Sequence, residues 1–165
     1  MSVSHASRRL IDSVPGFDFD IHHFPDGTKT AADAAWAVGC PVSAIVKSLV
    51  FMVIHDDGEE EATVSLVPGD MRLDPAALAV AAGGHSARRA TLDEVKEATG
   101  YAAGGTPPFG HATPIRVFAD PSLRRNDPVW AAGGTPDTVF PISPDDLDRL
   151  AAPAWTPIAE PPANP

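Results

Sequence analysis

Ala44-Ile45-Val46-Lys47-Ser48-Leu49-Val50-Phe51-Met52-Val53-Ile54 is the longest apolar run in the chain, and it is rich in β-branched residues. It ends at Asp56-Asp57-Gly58, a turn signal. A run of this kind bounded by turn residues predicts a buried strand. Lys47, one of only three lysines in the chain, sits inside it. An ammonium is costly to bury without a partner. Lys47 therefore either reaches an edge and snorkels into water, or faces a pocket that receives something anionic. We take the second reading and weigh the rest of the chain against it.

Downstream of the turn, Ala62 to Val67 predicts the return strand of a hairpin, which requires antiparallel pairing. Upstream, Thr30 is a good N-cap for a helix over Ala31 to Val38, with Gly39 as its stop. That helix is rich in small residues, so it can lie close to whatever is under it. Further out, Ser4 to Ser13 reads as a short amphipathic helix, and Phe17 to Phe24 alternates like a half-buried strand. Asp74-Pro75 starts a helix through Ala82, and His85 to Ala90 reads as a polar connector. Thr91 to Glu94 is a capping box opening a helix closed by Gly100. Pro114 to Ala119, Val129 to Ala132 and Thr138 to Ile142 read as strands, and Ser143 opens a last helix over Leu147 to Ala151. Strands outnumber helices, and the helices are short and scattered between them. The prediction is an α+β fold: a mixed, curved β-sheet or partly closed barrel with short helices around it. Residues 1–152 form one domain, and the proline-rich segment 153–165 is an extended tail on the surface or a disordered one.

The bulk numbers narrow the function classes. The length, 165 residues, and the 44% apolar content suit a single domain with a real core. No apolar run reaches the roughly 18 residues needed to cross a bilayer, and no apolar signal core follows the first residues. A single cysteine, Cys40, excludes an internal disulfide framework and points to a reducing cytoplasm; it reads as a small buried apolar residue. The net charge of −10 argues against broad binding to nucleic acid, DNA included. It leaves room for a small basic patch serving one RNA end, for which Arg88-Arg89 and Arg124-Arg125 are the candidates; the plainer reading is solvated surface arginines.

Three features are not demanded by core packing: Lys47, the glycine- and proline-rich loop Gly104 to Gly110, and the strand end at Gly133-Gly134. Glycine-rich loops expose backbone N–H groups that can hold a carbonyl oxygen as it becomes an oxyanion, or a phosphate. Prolines fix such a loop so that it needs little reorganisation. The loop is not a P-loop, since Gly-Lys-Ser/Thr is missing from its end. His111 follows the loop and is a candidate for substrate contact or general-base work. His22 and His23 are adjacent, so on a strand they face opposite sides and do not chelate together. No metal-ligand spacing or nucleophile elbow is present, so neither a metal, a cofactor nor a protein nucleophile is expected.

Three blocks together carry a family resemblance: Thr30 to Phe51, with Gly39-Cys40-Pro41-Val42 leading to Lys47-Ser48-Leu49-Val50-Phe51; Thr99 to His111, with a Gly-x-x-x-Pro loop at Gly104 to Pro108; and Val129 to Leu147. In order and spacing these resemble the YbaK-type, prolyl-tRNA synthetase-associated editing domains, over about residues 28–150. The resemblance implies a mixed fold around a curved sheet and hydrolysis of the ester between a wrong amino acid and the 3′ end of a tRNA, in trans. It implies that Lys47 anchors substrate rather than attacks it, with a tRNA ribose hydroxyl assisting the water. It implies that Gly104, Gly105, Thr106, Pro107, Pro108, Phe109 and Gly110 line the aminoacyl pocket and supply backbone donors, with Thr30, Gly133, Gly134 and Asp137 as further pocket candidates. The partner implied is the 3′ acceptor end of a mischarged tRNA, alone or with a synthetase or elongation factor. The competing readings are a non-catalytic aminoacyl- or nucleotide-binding or synthetase-docking module of the same fold, and hydrolysis of another small acyl ester.

Overall fold

A computed structural model describes residues 3–28 and 30–162. The apolar run becomes β2, Val46–Ile54, and turns at Gly58 into β3, Glu60–Pro68; the two pair antiparallel over their full length, Val46 opposite Pro68 and Ile54 opposite Glu60. β2 sits second in a five-stranded mixed sheet. Its neighbours are β5 (Ser86–Arg89) on one side and, on the other, β3, β6 (Arg116–Ala119) and β9 (Ala154–Trp155); the β3–β6 and β6–β9 pairings are parallel. A three-stranded antiparallel sheet holds β1 (His22–His23), β8 (Thr138–Ile142) and β7 (Val129–Ala132). A two-stranded ribbon pairs β4 (Arg72–Leu73) with β10 (Ala159–Glu160). A single parallel bridge, Ile45 to Trp130, joins the second sheet to the start of β2. The fold is α+β with a mixed sheet, as expected, but the sheets do not close into a barrel.

Both faces of β2 are covered, which is why its sequence runs apolar without alternation. Val46, Val50 and Met52 join Val64 and Leu66 in a core completed by Phe109, Val129, Ala131 and Phe140. Phe51 and Val53, on the opposite face, join Val67, Leu73, Leu78, Phe118 and Ile158. Among the described residues, five helices surround the sheets: α1 His5–Ser13, α2 Ala31–Val38, α3 Pro75–Ala82, α4 Leu92–Thr99 and α5 Pro144–Ala151. Each starts on a side-chain cap from Ser4, Thr30, Asp74, Thr91 and Ser143 in turn, and the capping box of Thr91 and Glu94 is complete.

Three expectations need correction. In the segment Phe17 to Phe24, read as a strand, only His22 and His23 pair, with Val139 and Thr138. The alternation reflects a cluster instead: the Phe17 and Phe19 rings meet edge to face at 4.7 Å, and both reach Phe140. The expected connector His85 to Ala90 contains β5, which pairs with β2 from Phe51–Arg89 to Ile54–Ser86. Its polar composition conceals a strand because it lies at the sheet edge, where water can receive its side chains. The proline-rich segment after residue 152 is not merely laid on the surface. β9 and β10 pair within the sheets, Ile158 is fully buried, and the Asp120 carboxylate accepts from the Ile158 and Ala159 amides at 2.9 and 2.8 Å. Residues 163–165 of that segment lie outside the described residues. Among the described residues no helix is long and apolar enough to cross a membrane.

Candidate active site

The site lies where the edge of β2 is left open. β7 flanks the start of β2 through the Ile45–Trp130 bridge, and β5 flanks its end, up to the bond from the Ala90 amide to the Val50 carbonyl at 3.1 Å. Between these neighbours the edge from Val46 to Leu49 borders a cavity of about 320 Å³. In an antiparallel ladder the N–H and C=O of alternate residues point the same way. Val50 and Ile54 bond toward β5, and the Ile45 carbonyl bonds the other way, to Gly69. The Ser48 peptide groups therefore point into the gap. A strand edge free of its neighbour offers donors and acceptors to a ligand.

Each wall of the cavity comes from a separate element. The α2 side gives Thr28, Thr30, Ala31 and Ala34; Thr30 also caps the helix by accepting from the Asp33 amide at 3.0 Å. Alanines at 31 and 34 let that helix approach β2 closely. The loop after α4 gives Gly104 and Thr106, β5 gives Arg89, and β7 and β8 give Trp130, Ala132, Thr138 and Val139. Lys47 is half-buried beside them, and its Nζ donates to the Met71 carbonyl. Burial lowers the pKa of this ammonium from its usual value; the Asp70 charge opposes that shift and Arg89 adds to it. Asp70 itself is held by Arg125 at 3.0 Å.

Of the residues singled out in the sequence, Lys47, Thr30, Gly104 and Thr106 are on the cavity wall. The others, Asp137 apart, form the frame behind it. Gly104 takes a φ of +85°, while Gly105 is packed so closely that a Cβ there would lie 2.7 Å from Thr135 Cα. Thr106 is buried and donates to the Ala102 carbonyl at 3.2 Å. Pro107 and Pro108 are buried, and Phe109 is a core residue that meets Phe19 and Phe140. At Gly110, φ +76°, a Cβ would lie 2.5 Å from Ser13 Oγ. His111 Nε2 bonds the Pro107 carbonyl at 2.8 Å, and burial lowers its pKa; the ring latches the loop and does not line the cavity. Gly133 and Gly134 seat α1: Ser7 Oγ donates to the Gly133 carbonyl at 2.6 Å, and a Cβ on Gly134 would lie 2.9 Å from the Ala6 carbonyl carbon. Asp137 belongs to another cavity, where it holds His23 at 2.8 Å and accepts from Thr135 Oγ1 at 2.6 Å.

The β8 residues Thr138 and Val139 carried no signal as site residues in the sequence, and Arg89 entered only as half of an Arg-Arg pair in a candidate basic patch for an RNA end. Its neighbour Arg88 is consumed by Glu60 and Glu94, both within 2.9 Å, so the pair does not act as one patch.

Residues 25–150 match the family model of the aminoacyl-tRNA editing domain. The chain belongs to that family. It is 32% identical over 133 residues to the uncharacterized protein YwhH of Bacillus subtilis, covering 80% of this chain and 81% of that one. It is 29% identical over 157 residues to the multifunctional Ser/Thr-tRNA deacylase ProXp-y of Escherichia coli K12, 92% and 90% covered. Among solved structures, a candidate trans-editing enzyme for prolyl tRNA synthetase superposes with a TM-score of 0.86 at 40% identity, over 96% of this chain and 99% of that one. The editing domain, about residues 25–150, thus contains every element that walls the cavity, from α2 to β8.

Proposed function

We propose that this chain is a trans-editing aminoacyl-tRNA deacylase, hydrolysing the ester between an amino acid and the 3′ terminal ribose of a mischarged tRNA. The observation that carries this reading is the open edge of β2: within an editing-domain fold, it brings Lys47, the Ser48 peptide, Gly104 and Thr106 around one cavity. A cation and backbone dipoles around a small cavity suit an ester that becomes an oxyanion, because fixed donors need little reorganisation as charge develops. Lys47 anchors the substrate by exchanging the Met71 carbonyl for a substrate oxygen. The buried Gly105 to Phe109 stretch keeps the Gly104 turn rigid, and donors from this loop stabilise the oxyanion. Water is the nucleophile, and a ribose hydroxyl of the substrate assists it. The tRNA end is delivered directly or by a synthetase or elongation factor, and the setting is the cytoplasm.

The test is deacylation of a panel of mischarged tRNAs, beginning with tRNA-Pro carrying alanine or cysteine and including serine and threonine esters, by wild type, Lys47→Ala and Lys47→Arg. Positioning of this kind contributes on the order of 100-fold or more. A loss of that size in Lys47→Ala, with an unchanged circular dichroism spectrum, supports the reading. Activity indifferent to Lys47 overturns the assigned role. No hydrolysis of any charged tRNA moves the assignment to a binding module of the same fold, and equal cleavage of a free aminoacyl ester moves it to a general esterase.

A further inference from the structure

A second cavity, of about 590 Å³, adjoins the first. The two share Thr30, Ala31, Lys47, Leu49 and Arg89 in their walls. Their chemistry differs. The first is walled mainly by small apolar residues and hydroxyls. The second gathers Lys47, Arg72 and Arg89 against a single carboxylate, Glu160, which Arg72 already engages at 2.6 Å. This is a local excess of positive charge on a chain with 22 acidic and 12 basic residues.

Of the two arginines lining this cavity, Arg72 and Arg89, Arg89 is the one without an acidic partner among the described residues. Arg72, Arg88, Arg116, Arg124, Arg125 and Arg149 each hold a carboxylate. Among the described residues the Arg89 guanidinium holds none, although it is exposed and within reach of solvent. It is nevertheless oriented: it closes β5 directly opposite Phe51, and its guanidinium carbon lies 5.6 Å from the centre of that ring. A planar fork fixed on an aromatic face, with no acidic partner, matches a phosphate, which it can grip with two parallel bonds.

We propose that Arg89 is a phosphate-binding residue of this site, holding the phosphodiester that links the terminal nucleoside to the rest of a polynucleotide whose aminoacylated end fills the first cavity. The inference rests on the deacylase reading for the identity of the polynucleotide, and the shared wall supplies the path. The aminoacyl ester lies on the β2-edge side, and the chain leaves across Lys47 and Arg89 into the second cavity.

The test separates this inference from the activity. Binding of the trinucleotide CCA and of adenosine is measured calorimetrically for wild type, Arg89→Gln and Arg89→Lys, at several salt concentrations. A charge-assisted contact of this kind predicts about tenfold weaker trinucleotide binding by Arg89→Gln. The slope of log affinity on log salt falls by about 0.7, the share of one single-strand phosphate. Arg89→Lys recovers part of the loss, and adenosine, which has no phosphate, binds the three proteins equally. Equal trinucleotide affinities, an equal loss on adenosine, or no trinucleotide binding by wild type each overturn the proposal. Arg89-dependent trinucleotide binding without hydrolysis of any aminoacyl-tRNA leaves the phosphate site standing and counts against the deacylase reading alone.

Discussion

Asp120 shows how much one side chain organises. It is 6% exposed, yet it caps the turn Pro121–Arg125 through the Ser122 amide at 2.9 Å and accepts the Ile158 and Ala159 amides. Burial pushes its pKa up, but these hydrogen bonds outweigh burial and the net shift is downward. Replacing it with alanine leaves the two C-terminal amides without partners, at a cost of about 3 kcal/mol. Denaturant unfolding of Asp120→Ala at pH 7 checks this. The stability from a depressed carboxylate is fully present above its unfolded value, about 4, and is lost as pH falls through the lower folded value. The gap between wild type and Asp120→Ala therefore narrows below about pH 4. A gap that is constant from pH 7 to pH 3 contradicts this role. Lys47 is the cavity residue most legible from sequence, since a lone ammonium inside an apolar strand demands an explanation. Arg89 is the least legible, because the only sign of it is a pair of arginines, of which Arg88 is spent on Glu60 and Glu94.

The loop from Gly104 to Gly110 acts through its backbone. Its glycines are needed for different reasons: Gly104 and Gly110 for positive φ, and Gly105 for the close approach to Thr135. Gly105→Ala must push the Thr135 backbone away, since the obstructing atoms belong to the main chain. The expected cost is about 2 kcal/mol, within the range for overpacking. Because this displacement moves the Gly104 and Thr106 wall, the proposed deacylation should fall by more than the loss of stability explains. Thermal unfolding and turnover measured on the same preparation check both parts; unimpaired turnover in a destabilised variant would sever the link between loop packing and the cavity. The element that sequence patterning missed, β5, is polar because it forms a sheet edge. Its pairing with β2 ends at Phe51–Arg89, and that endpoint leaves the strand edge open at the cavity.

At the scale of the molecule, charge and chain ends decide the behaviour. A net charge of −10 opposes broad contact with nucleic acid, so an isolated tRNA should bind modestly through its acceptor end. Anisotropy titrations with charged tRNA should give a salt slope of magnitude about 1 to 2, as expected for a few single-strand phosphates. A steep slope would point to an extended interface that the acidic surface does not offer. Residues 153–162 belong to the body of the protein. Ending the chain after Ala152 removes β9, β10 and buried Ile158, with the bond from Trp155 Nε1 to Asp148 at 2.7 Å. Loss of Ile158 burial alone is worth about 2–3 kcal/mol. The midpoint of thermal unfolding should fall by about 10 °C, and an unchanged midpoint would return the segment to the status of a tail.

The sequence by itself determined the hairpin of β2 and β3, the helix caps Thr30, Asp74, Thr91 and Ser143, the α+β class and the family resemblance. These rest on local signals: a turn after an apolar run, a hydroxyl or carboxylate before a helix, and motifs in a fixed order. Only the tertiary structure decided which loop residues reach the cavity, that Asp137 and His111 face elsewhere, that the C-terminal segment is woven into the sheets, and that Arg89 stands beside Lys47. Those facts depend on which strands become neighbours. The gap between β5 and β7 exists because two segments distant in sequence stop short of each other on the same edge, and no local pattern encodes where pairing ends.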